Sequence, residues 1–214
     1  MQQLCRVAKR HLPASGVGVS LFDEDGGPMP AAASSPSCAL LEELQLTLGE
    51  GPCLAAYAAG RPVLVPDLTE ASSTWPAYSS AVSEHGVRAV FAFPMQVGAA
   101  RLGAMDVYRS DPSRLSPAEL SRAVSFAEVG TGALLHAQSH GGDPARWLDD
   151  LEMGDYRIFQ AQGMVTVQLG VSMHEAMLRL RAYAYAHDRR LKDVSEDIVR
   201  RRLTLSSDED AGGP

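Results

Sequence analysis

The chain has 214 residues, of which 45% are hydrophobic and 21% are charged, and its formal net charge is −7. Such a composition can bury a core and excludes a globally disordered chain. No apolar run reaches the roughly 18 residues of a membrane-spanning helix, and the N-terminal residues lack a signal peptide, so we expect a cytoplasmic protein without membrane contact.

The length suits one domain of ordinary size followed by a smaller one. Three widely spaced cysteines, Cys5, Cys38 and Cys53, contain no Cys-x-x-Cys pair. We therefore predict reduced, mostly buried thiols and no metal site.

The first 85 residues predict short helices and strands in irregular alternation. Apolar spacing, with Gly or Pro at the ends, predicts helices over residues 2–12, 39–48, 54–59 and 75–85. Alternating side chains predict strands over residues 16–22, 28–35 and 63–65.

A hairpin and a long helix follow. Val87–Gln96 and Arg101–Tyr108 read as two strands joined by a turn at Gly98. Ser116, Pro117 and Glu119 supply an N-cap, a first-turn proline and a capping-box partner for a helix reaching Leu134. We place the domain junction at residues 139–144, and the irregular order of elements favours an α+β first domain.

The last folded stretch, Tyr156–Leu203, predicts three amphipathic helices and is basic. It holds nine Lys/Arg and five Asp/Glu, whereas the rest of the chain holds ten basic and twenty-one acidic residues. The apolar stripes predicted for the three helices are Ile158, Ala161, Val165 and Leu169, then Met173, Ala176, Met177, Leu180 and Ala184, then Leu191, Val194 and Ile198. Gly163 is predicted to permit a close helix approach, and Ser195 to bond to the backbone.

Four segments of the first domain resemble a GAF domain, a sensor fold with an antiparallel sheet flanked by helices. They are Gly49–Cys53, Val63–Leu68, Phe91–Pro94 and Arg101–Tyr108. The resemblance implies a signal-receiving domain over residues 1–140, with a small-molecule ligand possible in such a fold. It does not identify a cofactor, because folds of this kind accept chemically unrelated ligands or none.

The C-terminal stretch resembles an ANTAR domain, a three-helix RNA-binding module, over about 48 residues. The matching pieces are Phe159–Met164, Leu169–Ser172, Glu175–Ala176, Leu180–Ala184, Leu191, Asp193–Val194 and Ile198–Val199. We assign residues 145–205 to this domain and expect 206–214 to be a disordered acidic tail. The pair resembles actinobacterial GAF–ANTAR regulators of transcription antitermination.

Basic and aromatic residues of this stretch are the candidates for RNA contact, because cations neutralise phosphates and tyrosines stack on unpaired bases. The predicted RNA-binding residues are Arg157, Gln160, Gly163, Arg181, Tyr183, Arg189, Arg190, Lys192, Arg200, Arg201 and Arg202, and Tyr185 is a further stacking candidate. Ion pairs are expected from Glu196 to Arg200 and from Asp197 to Arg201, and no structural role is expected for Arg189, Arg190, Lys192 or Arg202.

Three residues of the first domain are read as structural. Cys53 is favoured as a buried thiol rather than a redox sensor. Asp67 is read as a loop or cap residue and not as a phosphoacceptor, because the strand before it has an antiparallel context. Asp106 lies in a strand without a second carboxylate at a recognisable spacing, so no acid–base catalysis is predicted there.

The combined prediction is a non-enzymatic regulator that binds paired hairpin loops in nascent transcripts, as a homodimer, under control of the first domain. Three alternatives stay open. A redox enzyme is disfavoured because no cysteine follows Leu54. A DNA-binding helix-turn-helix is disfavoured because the 186–190 turn lacks glycine. A protein-interaction module for an acidic partner would share the same basic surface.

Overall fold

A five-stranded antiparallel sheet organises the N-terminal part of the chain, in the spatial order β2-β1-β5-β4-β3. The structure is a computed structural model and describes residues 1–23, 26–139 and 156–205. The strands are β1 (Gly16–Phe22), β2 (Pro28–Ala33), β3 (Val63–Val65), β4 (Ala89–Val97) and β5 (Ala100–Arg109). Each predicted strand is present, and the hairpin between β4 and β5 turns at Gly98, whose φ of 56° favours glycine.

Helices cover both faces of this sheet. They are α1 (Gln2–His11), α2 (Pro36–Leu48), α3 (Pro52–Ala59), α4 (Pro76–Glu84) and α5 (Pro117–Ser139). Gln45 of α2 bonds to Asp106 on one face. On the other face α5 is so close that a Cβ at Gly130 would meet Met95 and Leu4. Met95 pairs with Gly103, and paired residues lie on the same face of a sheet. Asp106 is three positions after Gly103, so the alternation of side chains along β5 puts Asp106 on the face opposite to Met95.

The two edge strands of the sheet are short or interrupted by proline. β2 pairs with β1 along one side only and contains Pro28 and Pro30. β3 is three residues long and pairs antiparallel with β4. That antiparallel pairing confirms the interpretation of Asp67 as a loop residue, and its Oδ1 accepts hydrogen bonds from the Thr69 amide and hydroxyl.

Within residues 156–205, the part of the C-terminal region that the structure describes, there are three helices: α6 (Tyr156–Leu169), α7 (Met173–Ala186) and α8 (Leu191–Val199). The chain divides into two compact units, residues 1–142 and 143–214. The predicted junction at 139–144 falls almost entirely outside the described residues, and the predicted tail 206–214 lies wholly outside them. Within the described residues, no helix is long and apolar enough to cross a membrane.

The apolar stripes of α6, α7 and α8 pack against one another, with Ile158, Leu180 and Leu191 fully buried. Met173 departs from the prediction, because its side chain is 40% exposed at the start of α7. There Ser172 caps the helix by accepting a hydrogen bond from the Glu175 amide at 3.1 Å.

Two predictions about small residues of this unit are wrong. A Cβ added to Gly163 would meet no atom of the described residues within 4 Å, so this glycine does not permit a close approach between the described helices. Ser195 is fully buried, and its hydroxyl has no hydrogen-bond partner among the described residues, so it does not bond to the backbone as predicted. Its small volume, rather than its hydroxyl, explains how it fits.

Both turns that follow α7 and α8 place a residue other than glycine in the left-handed region. Asp188 has φ 50° and Arg201 has φ 57°. After α8 the amides of Arg202 and Arg201 donate to the carbonyls of Asp197 and Ile198, which is the hydrogen-bond pattern of a Schellman motif. In both turns a residue other than glycine thus adopts the left-handed conformation that glycine usually supplies: Asp188 between α7 and α8, and Arg201 after α8.

Candidate functional site

A cluster of buried polar side chains lies between the sheet and the helices α2, α3 and α4. We call it the buried polar cluster, and its members, each at most 1% exposed, are Ser20, Glu42, Gln45, Cys53, Tyr78, Asp106 and Tyr108. Small residues on one face of β1, Gly16, Gly18 and Ser20, leave the space that the side chains of this cluster occupy. A Cβ at Gly18 would collide with the Glu42 carboxylate, so any larger residue there must displace that side chain.

Two carboxylates of this cluster share a hydrogen-bond network. Tyr108 donates to Glu42 Oε1 at 2.6 Å, and Ser20 donates to Glu42 Oε2 at 2.7 Å. Gln45 Nε2 donates to Asp106 Oδ2 at 2.6 Å while its Oε1 accepts from the Cys53 amide at 2.8 Å. Asp106 Oδ1 and the Tyr78 hydroxyl are buried without a hydrogen-bond partner among the described residues.

Burial governs the ionisation of the two carboxylates. It raises the pKa of Asp106 to about 7, against the opposing hydrogen bond from Gln45. Burial, and then repulsion from Asp106, raise the pKa of Glu42 well above its usual range. Asp106 thus has a second carboxylate beside it, and sequence spacing did not reveal it because Glu42 comes from a helix distant in the chain.

Cys53 belongs to the same cluster and is not arranged for reactivity. It lies in the first turn of α3, which begins at Pro52 and not at Leu54 as predicted. Burial, and then the charges of Asp106 and Glu42, raise its thiol pKa well above the usual range. Cys5 and Cys38 are buried as well, so the prediction of free, buried thiols is confirmed for all three.

The predicted RNA-binding residues are distributed over the whole second unit. Those whose side chains are exposed are Gln160, Arg190, Arg200, Arg201 and Arg202, and those partly buried are Arg157, Arg181, Tyr183, Arg189 and Lys192. Tyr183 stacks on His187 with ring centroids 4.0 Å apart, whereas Tyr185 is 81% exposed.

Four of these arginines meet at two carboxylates of α8. Glu196 pairs with Arg157 at 2.6 Å and with Arg200 at 2.5 Å. Asp197 pairs with Arg189 at 2.6 Å and with Arg202 at 2.8 Å. We call these six side chains the arginine network. Among the described contacts, none joins Gln160 or Gly163 to it.

The arginine network corrects two expectations from the sequence. Glu196 does pair with Arg200, but Asp197 pairs with Arg189 and Arg202 and not with Arg201. Arg189 and Arg202 therefore have structural partners, which spacing along one helix cannot reveal because Arg189 precedes α8. The hydrogen bond to Asp197 raises the pKa of Arg189, and the bond from Arg189 lowers the pKa of Asp197.

Both parts of the chain, the sheet-centred unit and the three helices α6 to α8, match families of known domains. The GAF domain family matches residues 1–134, and the ANTAR domain family matches residues 156–199. The chain belongs to the GAF domain family and carries an ANTAR domain after it. An ANTAR domain implies an RNA-binding antitermination regulator, and a GAF domain implies a sensory part.

Solved structures similar to the first unit show its fold. A domain assigned to a two-component sensor histidine kinase from Sinorhizobium meliloti 1021 is 16% identical, with a TM-score of 0.54 over 64% of this chain and 88% of that one. The GAF domain of the cyanobacteriochrome TePixJ is 21% identical, with a TM-score of 0.51 over 64% and 88%. A type II free methionine-R-sulfoxide reductase from Thermoplasma acidophilum is 18% identical, with a TM-score of 0.50 over 64% and 89%. No curated protein matches the chain.

Proposed function

We propose that the protein is a signal-dependent RNA-binding regulator that acts by antitermination on nascent transcripts containing hairpins. The observation that carries this proposal is the arginine network at α8, in which Arg200 and Arg202 are exposed and to which the exposed Arg201 is adjacent in sequence. Cations grouped on one face attract a phosphate backbone by releasing its counterions, even though the whole chain has a formal net charge of −7.

The proposed mechanism is a shift between two RNA folds. Binding adds free energy to the fold whose hairpin loops contact residues 156–205, at the expense of a competing terminator. The exposed Tyr185 supports loop recognition, because an unpaired base can stack on its ring. In a homodimer, two such surfaces would act on neighbouring hairpins at a raised effective concentration.

The sensory input is assigned to residues 1–140, and the RNA-binding activity to residues 145–205. We propose that a small-molecule signal acts at the buried polar cluster, because Asp106 Oδ1 and the Tyr78 hydroxyl would gain hydrogen bonds from a ligand. The redox alternative is disfavoured by the burial of Cys53 and its raised thiol pKa.

Pull-down of transcripts from the source organism, followed by sequencing, tests the proposal. The variant replaces Arg200, Arg201 and Arg202 by Ala, and the matched control replaces Arg10, Arg61 and Arg114, which are exposed arginines of the first unit. We expect enrichment of leaders with paired hairpins for the wild type and the control, and its loss in the variant.

Two results would contradict the proposal. Preferential capture of duplex DNA in direct competition with hairpin RNA would favour the helix-turn-helix alternative. Capture of an acidic protein without any RNA enrichment would favour the protein-interaction alternative.

A further inference from the structure

Glu196 and Asp197 are adjacent on α8, and each bridges two arginines from different parts of the unit. Glu196 joins Arg157 of α6 to Arg200, which ends α8. Asp197 joins Arg189, which precedes α8, to Arg202, which follows it. Two carboxylates thus bring four guanidinium groups from three segments of the chain into one array, with an excess of two positive charges.

Folding stability alone is a weak reason for this arrangement. The side chains of Arg200 and Arg202 are 50% and 55% exposed, and exposed ion pairs contribute little because water and salt screen them. The same contacts do fix side chains that would otherwise sample many rotamers. A guanidinium held by a carboxylate keeps further donors for a second acceptor, since its planar fork carries five N–H groups.

We propose that Glu196 and Asp197 are positioning residues, which hold Arg157, Arg189, Arg200 and Arg202 at fixed spacing for the phosphates of a folded RNA. This inference rests on the proposed RNA-binding function. Phosphates of a hairpin lie at set positions, so arginines ordered before binding avoid the entropy cost of being ordered during it. A flexible single strand adapts to the protein and gains little from a preformed array.

A positioning role for Asp197 and the charge of Asp197 alone predict opposite effects of Asp197→Asn on RNA binding. Removing a negative charge from a cationic surface should tighten binding to any RNA. If Asp197 positions Arg189 and Arg202, its removal releases both side chains and weakens binding to folded RNA by about tenfold, since each must be ordered again. Affinity for an unstructured strand should stay equal or rise.

The test measures the affinities of the full chain for two probes over a series of KCl concentrations. One probe is a synthetic RNA with two stable hairpins, and the other is an oligouridine of equal length. The control Asp193→Asn makes the same charge change on α8; the Asp193 carboxylate acts on Arg189 through its charge, and among the described contacts it forms no ion pair with an arginine of the network. Asp197→Glu should recover most of the lost affinity, because it restores a carboxylate in reach of the arginines.

We expect Asp197→Asn to lose about tenfold for the hairpin probe only, while Asp193→Asn loses nothing for either probe. Thermal unfolding checks that each variant is folded. If Asp197→Asn does not fold, Glu196→Gln tests the other half of the network. Equal or tighter hairpin binding by both network variants overturns the positioning role and leaves RNA binding intact. Failure of the wild type to bind either RNA overturns the proposed function and this inference together.

Discussion

Substitution of Asp106 by Asn should flatten the dependence of the first domain's stability on pH. Asp106 is fully buried beside a second carboxylate, and its pKa is raised from 3.8 to about 7. At pH values between these two the folded state therefore binds more protons than the unfolded state, so stability falls as the pH rises. The stabilisation is complete below pH 3.8 and is lost as the pH rises through about 7.

The size of this effect follows from the shift of roughly three pKa units. Each unit corresponds to about 1.4 kcal/mol, so ionising Asp106 costs the folded state about 4 kcal/mol at alkaline pH. The amide introduced by Asp106→Asn cannot ionise and still offers an oxygen to the side-chain amide of Gln45. Between pH 5 and pH 8 we expect the variant to gain about 3 kcal/mol relative to the wild type, because most of that ionisation falls within this range.

Urea unfolding of the full chain between pH 5 and pH 9 measures this difference. In a Trp147→Phe background, Trp75 is the remaining tryptophan, and it packs against the apolar cluster around Tyr78 and Tyr108. Asp67→Asn is a control whose effect on the pH dependence of stability has the opposite sign, because hydrogen bonds from Thr69 lower the pKa of Asp67. The stability that Asp67 contributes is lost only at acid pH. Parallel curves for the wild type and Asp106→Asn from pH 5 to pH 9 would refute the reasoning.

Three further predictions concern single residues. Gly18→Ala should lower the free energy of unfolding by about 1–3 kcal/mol, because its methyl group must displace Glu42, and an unchanged urea midpoint would contradict the close approach. Arg201→Gly should raise the free energy of unfolding, measured by calorimetry, by up to about 1 kcal/mol, because glycine adopts the left-handed backbone without strain. The same substitution should reduce the salt slope of RNA binding by about 0.7–0.9, because one phosphate contact is lost. Cys53 should react with a thiol reagent only at the rate of unfolding, and labelling within seconds in native buffer would mean that it is accessible.

Local patterns in the sequence were sufficient to predict the elements. The capping box at Ser116 and Glu119 forms as expected, with the Ser116 amide donating to Glu119 at 2.6 Å. The stripe residues Ile158, Leu180 and Leu191 are buried because a period of 3.6 residues sets one face of a helix. These features depend on neighbours within a few residues.

The contacts that define the candidate sites depend on residues far apart in the chain, so spacing could not reveal them. Glu42 and Tyr108 are 66 residues apart and meet only because α2 packs on the sheet. The alternating Gly16, Gly18 and Ser20 were a usable signal, since small residues on one strand face permit a helix to approach closely. Arg189 lies in the turn after α7, and the conformation of that turn brings it to Asp197. The turn was hard to predict because it contains no glycine.

The two edge strands of the sheet limit how copies of this chain can associate. β2 carries prolines that have no N–H to offer a neighbouring strand, and β3 is only three residues long. Neither edge is suited to pairing with a strand from a second molecule, which also protects the sheet against aggregation through its edges. Two copies of this chain would therefore not be joined by a sheet that continues from one molecule into the other, and a signal could not pass between them along such a sheet.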